Sequence, residues 1–206
     1  MVGWWLRDFR PTNEDAVLLA LPNDAPDPVT YALICEEITR IRSELSDEYA
    51  RSEASQRADL EYDARVWLES VLPELMRCWI GTPWDFNGTA ERPGDGPIAC
   101  GYFVSTVLRD AGFNLDRFLL AKQASENIMR SFLPRASCVL RVGDDYESYA
   151  DSLDSCDPGI YLIGLDTHVG FIVKRHQDGF RFIHSSGSNP AWVVEQDREN
   201  AWVLRQ

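Results

Sequence analysis

The chain has no long apolar run, no basic leader, no paired cysteine spacing and no excess of positive charge. Its longest apolar stretch falls far short of a membrane span, which argues against a membrane-inserted helix. The first residues, MVGWWLRDFRPTNED, have no basic segment followed by an apolar core and do not read as a signal peptide. The expected setting is therefore soluble: cytoplasmic, or exported by a route not encoded at this N-terminus. Five cysteines (Cys35, Cys78, Cys100, Cys138 and Cys156) form no Cys-x-x-Cys pair, so no structural zinc is expected. Their odd count and irregular spacing argue against a disulfide framework, and a reducing compartment fits them best. Lys and Arg number 20 against 33 Asp and Glu, giving a net charge of −13 at pH 7. Such a chain is a poor general partner for nucleic acid or anionic membranes. There is no internal repeat and no low-complexity tract.

What is present is enough for one domain with a helical extension: 206 residues, 45% of them hydrophobic. Residues 1 to about 28 read as an irregular arm with an apolar patch at Ala16 to Leu21. From Pro28, Tyr31, Ile34, Ile38, Ile41 and Leu45 recur at three- and four-residue spacing and predict a helix. A second stripe runs through Val66, Leu68, Val71, Leu72, Leu75, Met76 and Trp79, with a kink or restart expected at Pro73. Gly81 to Gly96 reads as a loop. Cys100 to Ala111 follows as an amphipathic helix with Gly112 as its stop. Further helix is expected over Leu115 to Phe132 and Asp144 to Leu153. The remainder is strand-like: Ile160–Leu165, His168–Lys174, Phe180–His184, Trp192–Glu195 and Ala201–Leu204, with a turn at Gln177-Asp178-Gly179. Helices first and antiparallel strands afterwards give an α+β class.

The chemistry concentrates at Cys100 and the histidines. Cys100 opens a helix, where free backbone N–H groups favour thiolate and can receive an oxyanion. Gly101 beside it would let a substrate backbone approach. Read alone, Cys100 is either a nucleophile or a buried, inert thiol. The chain has three histidines, His168, His176 and His184. His168 opens one strand and His184 closes the next, while His176 falls at the turn and reads as a solvated residue. Side chains alternate faces along a strand, so His168 and His184 share a face only across an odd-length turn or an intervening bulge. The expected roles are Cys100 as nucleophile, His168 as base and His184 as the group that orients His168. Two histidines satisfied within a sheet are the alternative. Near the cysteine, Trp84, Asp85, Tyr102, Ser185 and Ser186 are candidates for substrate binding. For Trp84 and Tyr102, core packing is the competing role, and for Asp85 it is loop capping.

Four segments in order, Gly81-Thr82-Pro83-Trp84, Cys100-Gly101-Tyr102-Phe103, His168-Val169-Gly170 and Ile183-His184-Ser185, resemble the NlpC-type cell-wall cysteine peptidases of the papain-like superfamily. The resemblance covers residues 64–206, with 1–63 as an N-terminal arm and helical extension. It implies a papain-like α+β fold in which a cysteine-bearing helix packs on a small antiparallel sheet carrying both histidines. It also implies metal-free, cofactor-free hydrolysis of amide bonds in peptidoglycan stem peptides, so a peptide or murein-peptide substrate is expected. Ala99 stands where the family has Asp, Trp84 stands where it has Tyr, and Thr89 to Ile98 is a long Pro/Gly-rich stretch. The same triad would also serve deamidation or acyl transfer on another substrate. A non-catalytic interaction protein on this scaffold is the alternative of a different class, with the Ile34–Leu45 stripe as its partner surface.

Overall fold

Asp27 begins the ordered helical region: its side chain accepts the Thr30 N–H at 2.9 Å, and Pro28 occupies the first turn, where its missing N–H costs nothing. Helix α1 then runs Pro28–Arg51. The computed structural model describes residues 25–132, 134–175 and 179–205. The irregular arm and its Ala16–Leu21 patch, together with His176 and the Gln177-Asp178 half of the expected turn, lie outside them.

Helix α2, Ala54–Arg77, starts with a reciprocal capping pair between Glu53 and Gln56. It is one continuous element across residues 63 and 64, where the sequence reading divided the chain, and it runs through Pro73 rather than restarting there. The proline forfeits one intrahelical bond. Its neighbours Leu72, Leu75 and Met76 are buried and anchor the turn on the core. Val66, expected on the inner stripe, is 44% exposed. Tyr31, Ile34 and Ile38 of α1 share a core with Trp79, Phe103 and Phe171, so the N-terminal helices pack into the same body as the rest.

Helix α3, Cys100–Asp110, is the central element. Phe103, Val104, Val107 and Leu108 are buried. Gly112 ends the helix in a left-handed conformation at φ 94°, and Phe113 N–H bonds back to Leu108 O at 3.0 Å. The helix expected over Leu115 to Phe132 is two short ones, α4 (Arg117–Ala121) and α5 (Ser125–Arg130). Helix α6 spans Tyr146–Asp154, capped by Asp145.

Strands β1 (Gly159–Gly164), β2 (Val169–Lys174), β3 (Arg181–Ser185) and β4 (Val193–Gln196) form one antiparallel meander in the order β1-β2-β3-β4. The α+β class expected from the sequence is the one observed. Alternation gives the sheet two different faces. Val169, Phe171, Val173, Ile183 and Val193 meet the helices of the main core. Ile172 and Phe182 face a second core with Ala150, Leu153, Ala201 and Leu204. The expected fifth strand, Ala201–Leu204, is instead a 3-10 turn over Trp202–Arg205. Ala201 and Leu204, three apart, are buried while Trp202 is 60% exposed, which is the period of a helical turn and not of a strand. Among the described residues no helix is long and apolar enough to cross a membrane.

Candidate active site

Cys100 is the first residue of α3, and the first helical bond, Phe103 N–H to Ala99 O, leaves the N–H groups of Cys100 and Gly101 outside the helical ladder. A loop and a strand fix where this helix begins. Ile98 N–H donates to Pro83 O at 2.9 Å, and Ser185 Oγ donates to Ile98 O at 2.6 Å, so the Gly-Thr-Pro loop and β3 grip the residue pair before the cysteine. The loop itself lies along the start of β4: Gly81 N–H bonds Val193 O and Val193 N–H bonds Thr82 O, each at 2.9 Å. The Thr89–Ile98 stretch folds back on itself, with Ala90 N–H to Pro97 O at 3.1 Å. Arg117, 3% exposed, holds that fold from beneath through Ala90 O at 2.7 Å, Glu91 Oε1 at 2.9 Å and Thr106 Oγ1 at 2.6 Å.

The backbone N–H groups of Val169, Gly101 and Cys100 act on the Cys100 sulfur. The Val169 contact places the thiol at the entrance of β2, the strand that His168 precedes by one residue. In the β2–β3 register Val173 faces Arg181, which leaves an odd number of residues between them. That is the parity His168 and His184 need to share a face, and they do: His168 Nε2 and His184 Nδ1 are 2.7 Å apart, rings near perpendicular at 86°. Gly170 of β2 lies against Phe182 and His184 of β3 at this point. A Cβ there would stand 2.8 Å from the His184 Cβ, so only glycine lets His184 lie flat on the sheet. Phe182 stacks on the far side of the His184 ring at 4.1 Å. The line of contacts continues past His184, whose Nε2 is 2.9 Å from Gln196 Oε1.

Burial dominates the protonation of the three groups. It pulls the His168 imidazole down to about 4 and His184 to about 3, the latter also by repulsion from His168 and against a small rise from Gln196. It pushes the Cys100 thiol up from its ordinary value, and the three backbone N–H groups only partly oppose this. The sequence expectation that the helix start favours thiolate is therefore corrected: dehydration of the sulfur outweighs the helix-terminal donors, and the site rests as neutral thiol and neutral imidazoles.

The remaining candidates have other partners. Gly101 is buried, and a Cβ on it would run into the carbonyl of Ala121, so its small size serves the α3–α4 contact and not a substrate backbone. Tyr102 packs edge-on to Phe118 at 5.8 Å with the Arg117 guanidinium 4.8 Å above its ring. Asp85 is exposed and accepts the Asn87 N–H at 2.7 Å, a loop cap. Ser185 is fully buried on Ile98 O, and Ser186, 1% exposed, bonds within its own turn to Ser188 at 3.3 Å. Neither serine offers a hydroxyl outward. Trp84 is half-buried against Gly187, whose Cβ would stand 2.9 Å from the indole. Among the described residues no group of three or more His, Cys, Asp or Glu is arranged to hold a metal ion.

Gln196 was missed by the sequence reading, which ended the fourth strand, Trp192–Glu195, one residue short. The available signal was parity, since Gln196 shares its face with Phe182 and His184 once β4 is one residue longer. No family model, curated protein or solved structure matches the chain.

Proposed function

We propose that the chain is a cysteine-dependent amidase or endopeptidase that hydrolyses amide bonds of peptidoglycan-type stem peptides through a thioacyl-enzyme intermediate. The observation that carries this reading is the hydrogen-bonded line His168–His184–Gln196, with the Cys100 sulfur at an open helix N-terminus meeting the backbone of Val169, the residue after His168. The substrate class rests on the resemblance of the four sequence segments to NlpC-type peptidases.

With His168 Nε2 engaged by His184, Nδ1 is the nitrogen left to take the thiol proton. Sγ attacks the carbonyl carbon as that proton moves to His168 Nδ1, and the carbonyl oxygen becomes an oxyanion. The N–H groups of Cys100 and Gly101, which have no helical partner, are the donors available to it. Collapse expels the amine with the proton held by His168. Water, deprotonated by the same nitrogen, then cleaves the thioester and restores the thiol. His184 keeps His168 oriented throughout.

The test is incubation with digested peptidoglycan, γ-D-glutamyl peptides and crosslink peptides, with products identified by mass and Cys100→Ala as control. Product formation by the native chain alone supports the reading. Identical product profiles for both proteins, together with Cys100 alkylation no faster than that of the other four cysteines, would overturn it.

A further inference from the structure

We propose that Gln196 is a positioning residue that sets the proton order of the whole relay and so decides whether His168 is a base at all. The proposal rests on the reading of Cys100 as nucleophile and His168 as its base. Neutral imidazole carries one N–H and one lone pair, so a line of two imidazoles has only two proton orders. If the Gln196 carbonyl oxygen faces His184, then His184 Nε2 carries the proton and its Nδ1 is an acceptor. His168 Nε2–H then donates to it, and His168 Nδ1 is left as a lone pair for the thiol proton. If the amide were turned, its NH2 would donate to His184 Nε2. Nδ1–H of His184 would donate to His168 Nε2, and His168 Nδ1 would carry a proton. A thiol facing that nitrogen has no base.

The two orders use the same distances, 2.7 Å and 2.9 Å, and the same partners. Geometry between the rings does not choose between them; the order is tied to which amide atom faces His184, and in the structure it is Oε1. Gln196 is well built for that task. It lies opposite Phe182 in the β3–β4 register, which directs it to the histidine face. Its neighbour Glu195 points to the other face, where Arg77 grips both carboxylate oxygens at 2.8 and 2.7 Å. β4 is thereby clamped to the end of α2, and the amide cannot slide away from His184.

The relay can be read directly because the chain has only three histidines. Long-range nitrogen–proton NMR on the native protein at neutral pH, with His176→Ala to assign the third ring, reports which nitrogen of each ring is protonated. The expected result is Nε2–H on both His168 and His184. Gln196→Glu, an acceptor only, keeps that order. Gln196→Met, which neither donates nor accepts, lets both rings exchange tautomers. It slows Cys100 alkylation by iodoacetamide by roughly tenfold or more, the scale on which outer partners of a functional histidine act. Recovery of the native alkylation rate in Gln196→Glu, measured on the plateau above its acid limb, separates proton order from simple packing loss. A proton on His168 Nδ1 in the native protein, or unchanged tautomers in Gln196→Met, would overturn the proposal. If Gln196→Met alters neither property while His168→Ala still slows alkylation, the positioning role fails and the catalytic reading stands. If Cys100 is not reactive in the native chain, the catalytic reading fails on its own.

Discussion

Lowering the pH from 7 to 5 destabilises this fold through its two relay histidines, and the size of the effect follows from their burial. The free imidazole titrates at 6.5, whereas burial holds folded His168 at about 4 and His184 at about 3. In the interval between, the unfolded chain binds protons that the folded chain refuses. Stability is therefore undiminished above pH 6.5 and falls as the pH drops toward 4 and 3, where the folded rings finally protonate. At pH 5 the free ring is about 1.5 units below its own pKa, so each histidine costs about 2 kcal/mol and the pair about 4. Two charged rings within hydrogen-bond distance repel, which keeps the second proton from being cheaper than the first. Urea unfolding at pH 7, 6 and 5 measures this, compared with the double variant His168→Gln, His184→Gln. Carboxylate protonation is common to both proteins and cancels in the difference, and pH 5 stays above the sequence pI of 4.6. The native protein should lose about 4 kcal/mol more than the variant over this range. Parallel curves, differing by less than about 1 kcal/mol in their pH dependence, would refute neutral burial of the pair.

Three further outcomes follow from contacts around the site. Arg117→Met leaves Glu91 and the Ala90 carbonyl without their buried donor. Glu91 is half exposed and keeps Arg109, so the cost is that of the buried carbonyl, about 1–3 kcal/mol in urea unfolding at pH 7. Gly170→Ala forces a methyl against Phe182 and the His184 Cβ, at 2.7 and 2.8 Å. It should slow Cys100 alkylation while Cys138 labelling stays constant, as read by mass spectrometry. Tyr31→Phe removes the 2.5 Å bond to Asp110 that ties α1 to the C-terminal end of α3. A loss of about 1.5–3 kcal/mol is expected for a bond to a charged acceptor, measured by thermal or urea unfolding.

The parts legible in the sequence were those governed by short periods. The stripe from Tyr31 to Leu45 marked α1, because a three-four repeat of large apolar residues has few other uses. Even spacing marked His168 and His184 as partners on one face. What escaped depended on contacts between distant segments. Ser185 looks like a polar residue beside a site, yet its hydroxyl is fully buried on Ile98 O, a bond spanning 87 positions that no local pattern encodes. Gly101 looked open to substrate, but the space beside it belongs to Ala121, twenty positions on. Ala201 to Leu204 reads as a strand by composition, and the second core claims it as a turn because only two of its four residues are buried there. Pro73 stayed in its helix because burial of the surrounding turn outweighs one missing bond.

The sulfur is where these levels meet. The helix start supplies donors that favour a thiolate, and the packing that positions those donors also removes the water that would stabilise it. Burial prevails over those donors, pushing the thiol up and the His168 imidazole down, and so opposes a thiolate–imidazolium pair. On the proposed reading this has a kinetic meaning. Sγ is neutral as a thiol before attack and neutral as a thioester afterwards, so burial penalises neither end of the acylation step. The charge that does develop sits on the substrate oxygen, and the N–H groups of Cys100 and Gly101, free of helical partners, are donors fixed beside the sulfur. The matching positive charge falls on His168, whose only relief is the line through His184 to the Gln196 oxygen. An amide accepts a hydrogen bond without adding a negative charge that would hold His168 protonated. A carboxylate at position 196 would raise both imidazoles and move the acid limb of Cys100 reactivity upward from near pH 4. The pH profile of alkylation in Gln196→Glu should show that shift toward neutral pH, and an unmoved limb would mean that Gln196 does not communicate with His168.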